Sequence, residues 1–225
     1  MKKVLASLST LALLAACNTQ ISPSAPGDSA PSAEPTMFEV VIEAPADAPG
    51  PLSPGIYVIH RDGMPIFTAN MKDRGQGLEG IAEDGNPANA ASLNGAQVFN
   101  TPMGDSEPGP ATPGKKYIFT FEASPGDRLS FATMYVQSND GFYAPADTGI
   151  PLFNGDTPIN GDMTAKVMLW DSGTEVNQEP VNGADQAPRQ SGPNTGTSES
   201  ETIQLISERD DFDYPNNIRL TINAK

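Results

Sequence analysis

Short apolar runs separated by polar, glycine- and proline-rich stretches set the rhythm of this chain. Seven runs have strand character: Met37 to Glu43, Gly55 to His60, Lys116 to Glu122, Arg128 to Val136, Ala165 to Trp170, Thr202 to Ser207 and Asn217 to Ala224. Apolar residues alternate in several of them. Tyr117, Phe119 and Phe121 share one face, as do Leu129, Phe131, Thr133 and Tyr135, and Ile218, Leu220 and Ile222. Such alternation buries one face of a strand and wets the other, which predicts a two-sheet sandwich. One stretch carries a helical stripe instead. Leu78, Ile81 and Ala82 fall at i, i+3 and i+4, so a short helix is predicted over Gly77 to Glu83, with Gly85 as its stop. A second short turn follows at Asn89 to Leu93. Neither has the length of a nucleotide-binding βαβ unit, and no phosphate-loop pattern accompanies them. The 21 Gly and 22 Pro read as the turn makers of an all-β domain.

The first residues follow another pattern. Lys2 and Lys3 precede an apolar run from Val4 to Leu14, and Leu14-Ala15-Ala16-Cys17 fits a bacterial lipobox. There the Cys17 thiol is acylated and the chain is cut before it. An ordinary secretory signal is the alternative, whereas a membrane span needs ~20 apolar residues. Cys17 is the one cysteine of the chain, so no disulfide is possible once it carries lipid. The expected organisation is a lipoprotein signal peptide (1–16), a lipidated Cys with a Pro/Ser/Ala-rich tether (17–36), and one β-sandwich domain (37–225). The expected location is extracytoplasmic, lipid-anchored at the outer membrane or cell surface of a bacterial envelope.

Charge narrows the partners. The formal net charge is −15, and without Lys2 and Lys3 the remaining 11 basic residues face 28 acidic ones, or −17. Such a surface repels nucleic-acid phosphates and anionic headgroups, so no nucleic acid is expected and the membrane link is the lipid alone. Some of the acids are candidate cation ligands. Asp171 and Glu175 lie four apart across a Ser-Gly-Thr turn, and Asp140 lies in a polar loop after a strand-like run. Three carboxylates on two loops at one end of a β-domain suit a hard cation. Ca2+ fits best, because it takes six to eight oxygens in a flexible shell. Other acid clusters compete: Asp210, Asp211 and Asp213 crowd a loop, and Asn154-Gly155-Asp156 and Asn160-Gly161-Asp162 form two like turns. None has EF-hand spacing, and Asn-Gly is first of all a turn dipeptide.

Catalytic equipment is sparse. His60 is the one histidine, ends a strand-like run, and reads as a structural hydrogen-bonding group rather than a triad base. No G-x-S-x-G elbow occurs, and zinc would need His and Cys ligands that the chain lacks. Acids are numerous enough to include a glycosidase pair, but nothing marks one. From Gly173 to Ser200 hydrophobics are scarce. Ala187 to Asn194 reads as a long loop, of the kind that is functional or mobile, with Arg189 available to pair with acids. Trp170 is expected in the core beside the acidic site, with its indole N–H needing a partner.

Four segments carry a family resemblance. Phe131 to Asp140 (FATMYVQSND) and Val167 to Glu175 (VMLWDSGTE), with Leu52-Ser53-Pro54-Gly55 and Arg74 to Gly85 (RGQGLEGIAEDG), resemble the spondin domain of matrix proteins and bacterial lipoproteins in the same order over residues 37 to 180. The resemblance implies a C2-like antiparallel β-sandwich with a calcium site at one end, whose acids would be Asp140, Asp171 and Glu175. The chain departs from the animal pattern at Ser138-Asn139-Asp140-Gly141, where that family has Ser-Pro-Asp-Trp, and at Glu175, where it has Asp. It also lacks the family's disulfide cysteines. The function implied is an envelope-anchored, calcium-binding, non-catalytic interaction or adhesion module. Its partner would be an envelope or extracellular protein or polysaccharide. A solute-binding or hydrolytic envelope lipoprotein using the acidic loop end is the alternative.

Overall fold

A computed structural model describes residues 34–215 and 217–225. The signal peptide, Cys17 and nearly all of the tether lie outside these described residues. The chain divides into two units, Met1–Ser32 and Ala33–Lys225, and the second holds all the structure described below.

Eight longer or pairing strands build two antiparallel sheets: β1 (Thr36–Glu43), β2 (Leu52–His60), β3 (Ala96–Phe99), β4 (Lys116–Ala123), β5 (Arg128–Tyr135), β6 (Gly141–Ala144), and later β11 (Met168–Asp171) and β13 (Arg219–Ala224). Two-residue pieces complete the order: β7 (Ile150–Pro151), β8 (Phe153–Asn154), β9 (Thr157–Pro158), β10 (Gly161–Asp162) and β12 (Gln204–Leu205). One sheet runs β10-β13-β1-β4. The other runs β12-β11-β6-β5-β2-β3, with β7 beside β5, while β8 and β9 form a small ribbon. All pairs are antiparallel, as the alternation predicts for a sandwich. Strand β1 begins at Thr36, which the sequence had placed in the tether.

The inter-sheet core is built by alternate residues. Phe38, Val40 and Ile42 of β1, Tyr117 of β4 and Leu220 and Ile222 of β13 face Leu129, Phe131 and Tyr135 of β5 and Tyr143 of β6. Each such side chain contributes roughly 1.5–3 kcal/mol when removed from water.

One expectation fails in an informative way. Alternation predicts a wet outer face for β5, yet Leu129 through Tyr135 are all buried. The outer face is covered by helix α1 (Leu78–Asp84) and the chain around it. Ile56, Val58, Ala132, Phe142 and Trp170 on the sheet pack there against Ile66, Phe67, Leu78, Ile81 and Ala82, forming a second core. Helix α1 stops where predicted. Gly85 takes the left-handed conformation (φ 63°), and its N–H closes on the carbonyls of Gly80 and Ile81. A 3-10 turn at Ala90–Ser92 follows. A similar turn at Thr164–Lys166 shortens the strand expected from Ala165, and another at Ile206–Glu208 cuts the expected Thr202 to Ser207 strand to β12. Among the described residues no helix is long and apolar enough to cross a membrane.

Candidate metal centre

Strand register brings the two acidic loops together. Strand β6 pairs with β11 so that Phe142 opposes Trp170 and Gly141 opposes Asp171. Asp140 immediately precedes β6 and Asp171 ends β11, so both arrive at one end of the seven-stranded sheet. Ser172 N–H donates to the Asp140 carbonyl at 3.2 Å and continues the pairing one step into the loops. Trp170 sits behind them as expected. Its ring meets Phe67 edge-on at 5.0 Å, and its Nε1–H donates to the Ala144 carbonyl at 3.3 Å.

The 171–175 loop wraps one oxygen of Asp140. Oδ2 accepts from Thr174 N–H (2.9 Å), Glu175 N–H (3.2 Å) and the Ser172 hydroxyl (3.0 Å). Gly173 permits this curl at φ 70°, and a Cβ there would meet the Glu201 carbonyl carbon at 2.8 Å. Asp140 Oδ1 has no hydrogen-bond partner among the described residues, although Asp140 is fully buried. An unpaired buried carboxylate oxygen is costly, and it is rare in native structures without an ion or water to meet it.

Three carboxylates converge here. Asp140, Asp171 and Glu199 each offer an oxygen within 4.8 Å of the other two. Oxygens bound to one Ca2+ at ~2.4 Å can lie up to about 5 Å apart, and an all-oxygen donor set is what that ion prefers. The residues present therefore fit a hard divalent cation. Asp171 is fully buried, accepting from Gly173 N–H (2.7 Å) and Asn177 Nδ2 (2.6 Å). Arg209 completes the cluster, with Nε 3.3 Å from Asp171 Oδ1 and a second nitrogen on Glu199. In this state a guanidinium supplies the positive charge.

Glu175, expected as the third ligand, is outside that trio. Its buried carboxylate accepts from Gly196 N–H (2.9 Å) and Asn139 Nδ2 (3.4 Å). The fit is close, since a Cβ on Gly196 would meet Glu175 Oε2 at 2.1 Å. Glu199 stands in its place because residues 197–201 run antiparallel to 173–176. Val176 N–H donates to Thr197 O, Glu199 N–H to Thr174 O and Glu201 N–H to Gly173 O. No sequence signal marked Glu199 or Arg209. One lies in a polar Ser-Glu-Ser-Glu-Thr stretch, and the other is flanked by more numerous acids.

Electrostatics agrees with the geometry. Burial first, then the Asp171 charge, holds Asp140 well above the usual carboxylate range, against three hydrogen bonds to Oδ2. Asp171, Glu175 and Glu199 are likewise raised, chiefly by burial. Burial opposes the charge of Arg209, but Asp171 and Glu199 outweigh it and leave its pKa raised.

The competing sites resolve differently. Among the described residues no other three acids converge, so the Asp210–Asp213 run gathers no ion site. Asp210 instead accepts from Phe212 N–H and the Tyr214 hydroxyl, each at 2.9 Å. Asn154 to Asp156 turns the β8–β9 ribbon, and Asp162 accepts from Thr164 N–H at 2.8 Å. Among the described residues Arg189 pairs with no acid. It donates to the Gly183 carbonyl and to the side chains of Gln137 and Gln186. His60 Nε2 lies 2.9 Å from Ser130 Oγ, and burial lowers its pKa. That pair is roofed by backbone: a Cβ on Gly149 would meet Ser130 Oγ at 2.7 Å and His60 Nε2 at 2.9 Å. Ser130 itself is buried.

Neither the models of known protein families nor the curated proteins compared with the chain give a match.

Proposed function

We propose that this protein is a calcium-binding, non-catalytic interaction module of the spondin type, tethered to a bacterial envelope through lipid on Cys17. One observation carries the metal reading. Asp140 Oδ1 is buried without a hydrogen-bond partner among two further carboxylates that share its small space. Asp140 and Asp171 would hold the ion, with Glu199 from the neighbouring segment as third ligand. A bound Ca2+ supplies two positive charges where Arg209 supplies one. Asp140 keeps its loop closed through Oδ2 whatever happens at Oδ1, so the site is organised before any ion arrives. Glu175 stays with Asn139 and Gly196 and buttresses the loop that carries Glu199. The acidic loop end would then present one defined surface to an envelope or extracellular protein or polysaccharide.

The test is a calcium titration of the full chain followed by thermal melting. At ~100 times the dissociation constant the ion should add about 2.7 kcal/mol. Asp171→Asn should remove that increment. A wild-type melting temperature indifferent to calcium would overturn the metal site.

A further inference from the structure

The positive charge beside the acid trio belongs to a side chain that has room to leave. Arg209 follows the 3-10 turn Ile206–Glu208, and its N–H closes that turn on the Ile206 carbonyl at 3.0 Å. From there its stem reaches Asp171 and Glu199, and its side chain is 16% exposed. A cavity of about 470 Å³ opens beside it, lined by Arg209 and Glu199 together with Val176, Glu201, Asp210 and Phe212. The two further acids of that cavity differ in their engagement. Asp210 is held by Phe212 N–H and the Tyr214 hydroxyl. Glu201 is exposed, and among the described residues nothing binds its carboxylate. Its charge still bears on the site, since it works against ionisation of Glu199.

A divalent cation among Asp140, Asp171 and Glu199 would take the oxygens that Arg209 now uses. Two cations on the same carboxylates repel strongly where water is scarce. Arginine cannot shed its charge to relieve that, because the guanidinium stays protonated. Its long stem can move instead, and the adjoining cavity offers both space and a free carboxylate.

We propose, resting on the calcium reading, that Arg209 is the gate of the site: it closes the acid trio when calcium is absent, and calcium expels its guanidinium into the adjoining cavity, against Glu201. Occupancy is thereby reported at the surface. Two of the three acids that hold the ion are fully buried, whereas the cavity carries Val176, 44% exposed, and Phe212, 41% exposed. A freed guanidinium beside those two apolar side chains gives the calcium-bound protein a cationic and apolar face that the calcium-free protein lacks. Calcium would then regulate which surface a partner meets, in a molecule whose net charge is otherwise strongly negative.

Arginine labelling of the full chain with phenylglyoxal, read residue by residue by mass spectrometry, tests the gate. Isothermal titration calorimetry on the same sample follows calcium binding independently. Arg61, whose side chain is 61% exposed, is the internal reference. Saturating calcium should raise Arg209 labelling severalfold and leave Arg61 unchanged. A double-mutant cycle then locates the expelled guanidinium. Glu201→Gln should weaken calcium binding in the wild type, and do so less in an Arg209→Gln background, where no guanidinium needs a new partner. Calcium that binds without raising Arg209 labelling overturns the gate and leaves the metal site standing, as do equal Glu201→Gln losses in the two backgrounds. A chain that binds no calcium overturns both.

Discussion

The two carboxylate oxygens of Asp140 live in opposite surroundings, one held by four donors and the other, among the described residues, by none. That asymmetry ties the acidic loops together through Oδ2 alone, while Arg209 meets the neighbouring Asp171. On the proposed calcium reading, Arg209 would be both a stabiliser and a competitor. Removing one member of a mostly buried ion pair strands the other, at a cost of roughly 3 kcal/mol. Arg209→Gln should therefore lower calcium-free stability by about that amount and tighten calcium binding, because no guanidinium must leave Asp171. Urea unfolding with chelator and with excess calcium checks both halves. Equal losses in the two conditions would mean that Arg209 does not compete for the site.

Helix α1 is a small element with a large burden. Ile81 is fully exposed to the second core and not at all to solvent. Ile81→Ala should cost about 2–5 kcal/mol, read as a lower urea midpoint with unchanged slope. Several elements were readable where one face stayed wet: the alternation in β4 and β13 and the stripe in α1 correspond to observed elements, whereas the four-residue β3 (Ala96–Phe99) was missed although half of it is exposed. Strand β6 was missed because Gly141 to Ala144 is buried throughout and too short to alternate. The site was half readable. Asp140 and Asp171 stand beside strong strands whose register fixes them. Glu199 instead arrives through backbone bonds between two segments of weak pattern, which leave no trace in the order of residue types.

At the scale of the whole molecule, negative charge predominates, and four of its acids, Glu83, Asp140, Asp171 and Glu175, are buried. Asp140, Asp171, Glu175, Glu199 and Glu83 all have raised pKa values, so the folded chain binds protons more tightly than the unfolded one. For a raised carboxylate, stability is present at low pH and is lost as pH rises from the ordinary range through the folded value, which for Glu83 is about 8. The calcium-free chain should therefore melt higher at about pH 5.5 than at about pH 8. The calcium increment should run the other way and shrink on acidification, because the ion needs ionised ligands. Melting curves at the two pH values, with and without calcium, separate the effects; a calcium-free protein most stable at the higher pH would contradict this account. The strand order carries a different consequence, for how the chain reaches this state. Phe38 pairs with Ala224, so β1 must wait for β13 across nearly the whole described chain before the four-stranded sheet closes. Pairing over such separation places the fold among slow folders of high contact order. Until β13 arrives, one edge of β1 stays open to strands of other molecules, a hazard that the shared negative charge of the chains opposes.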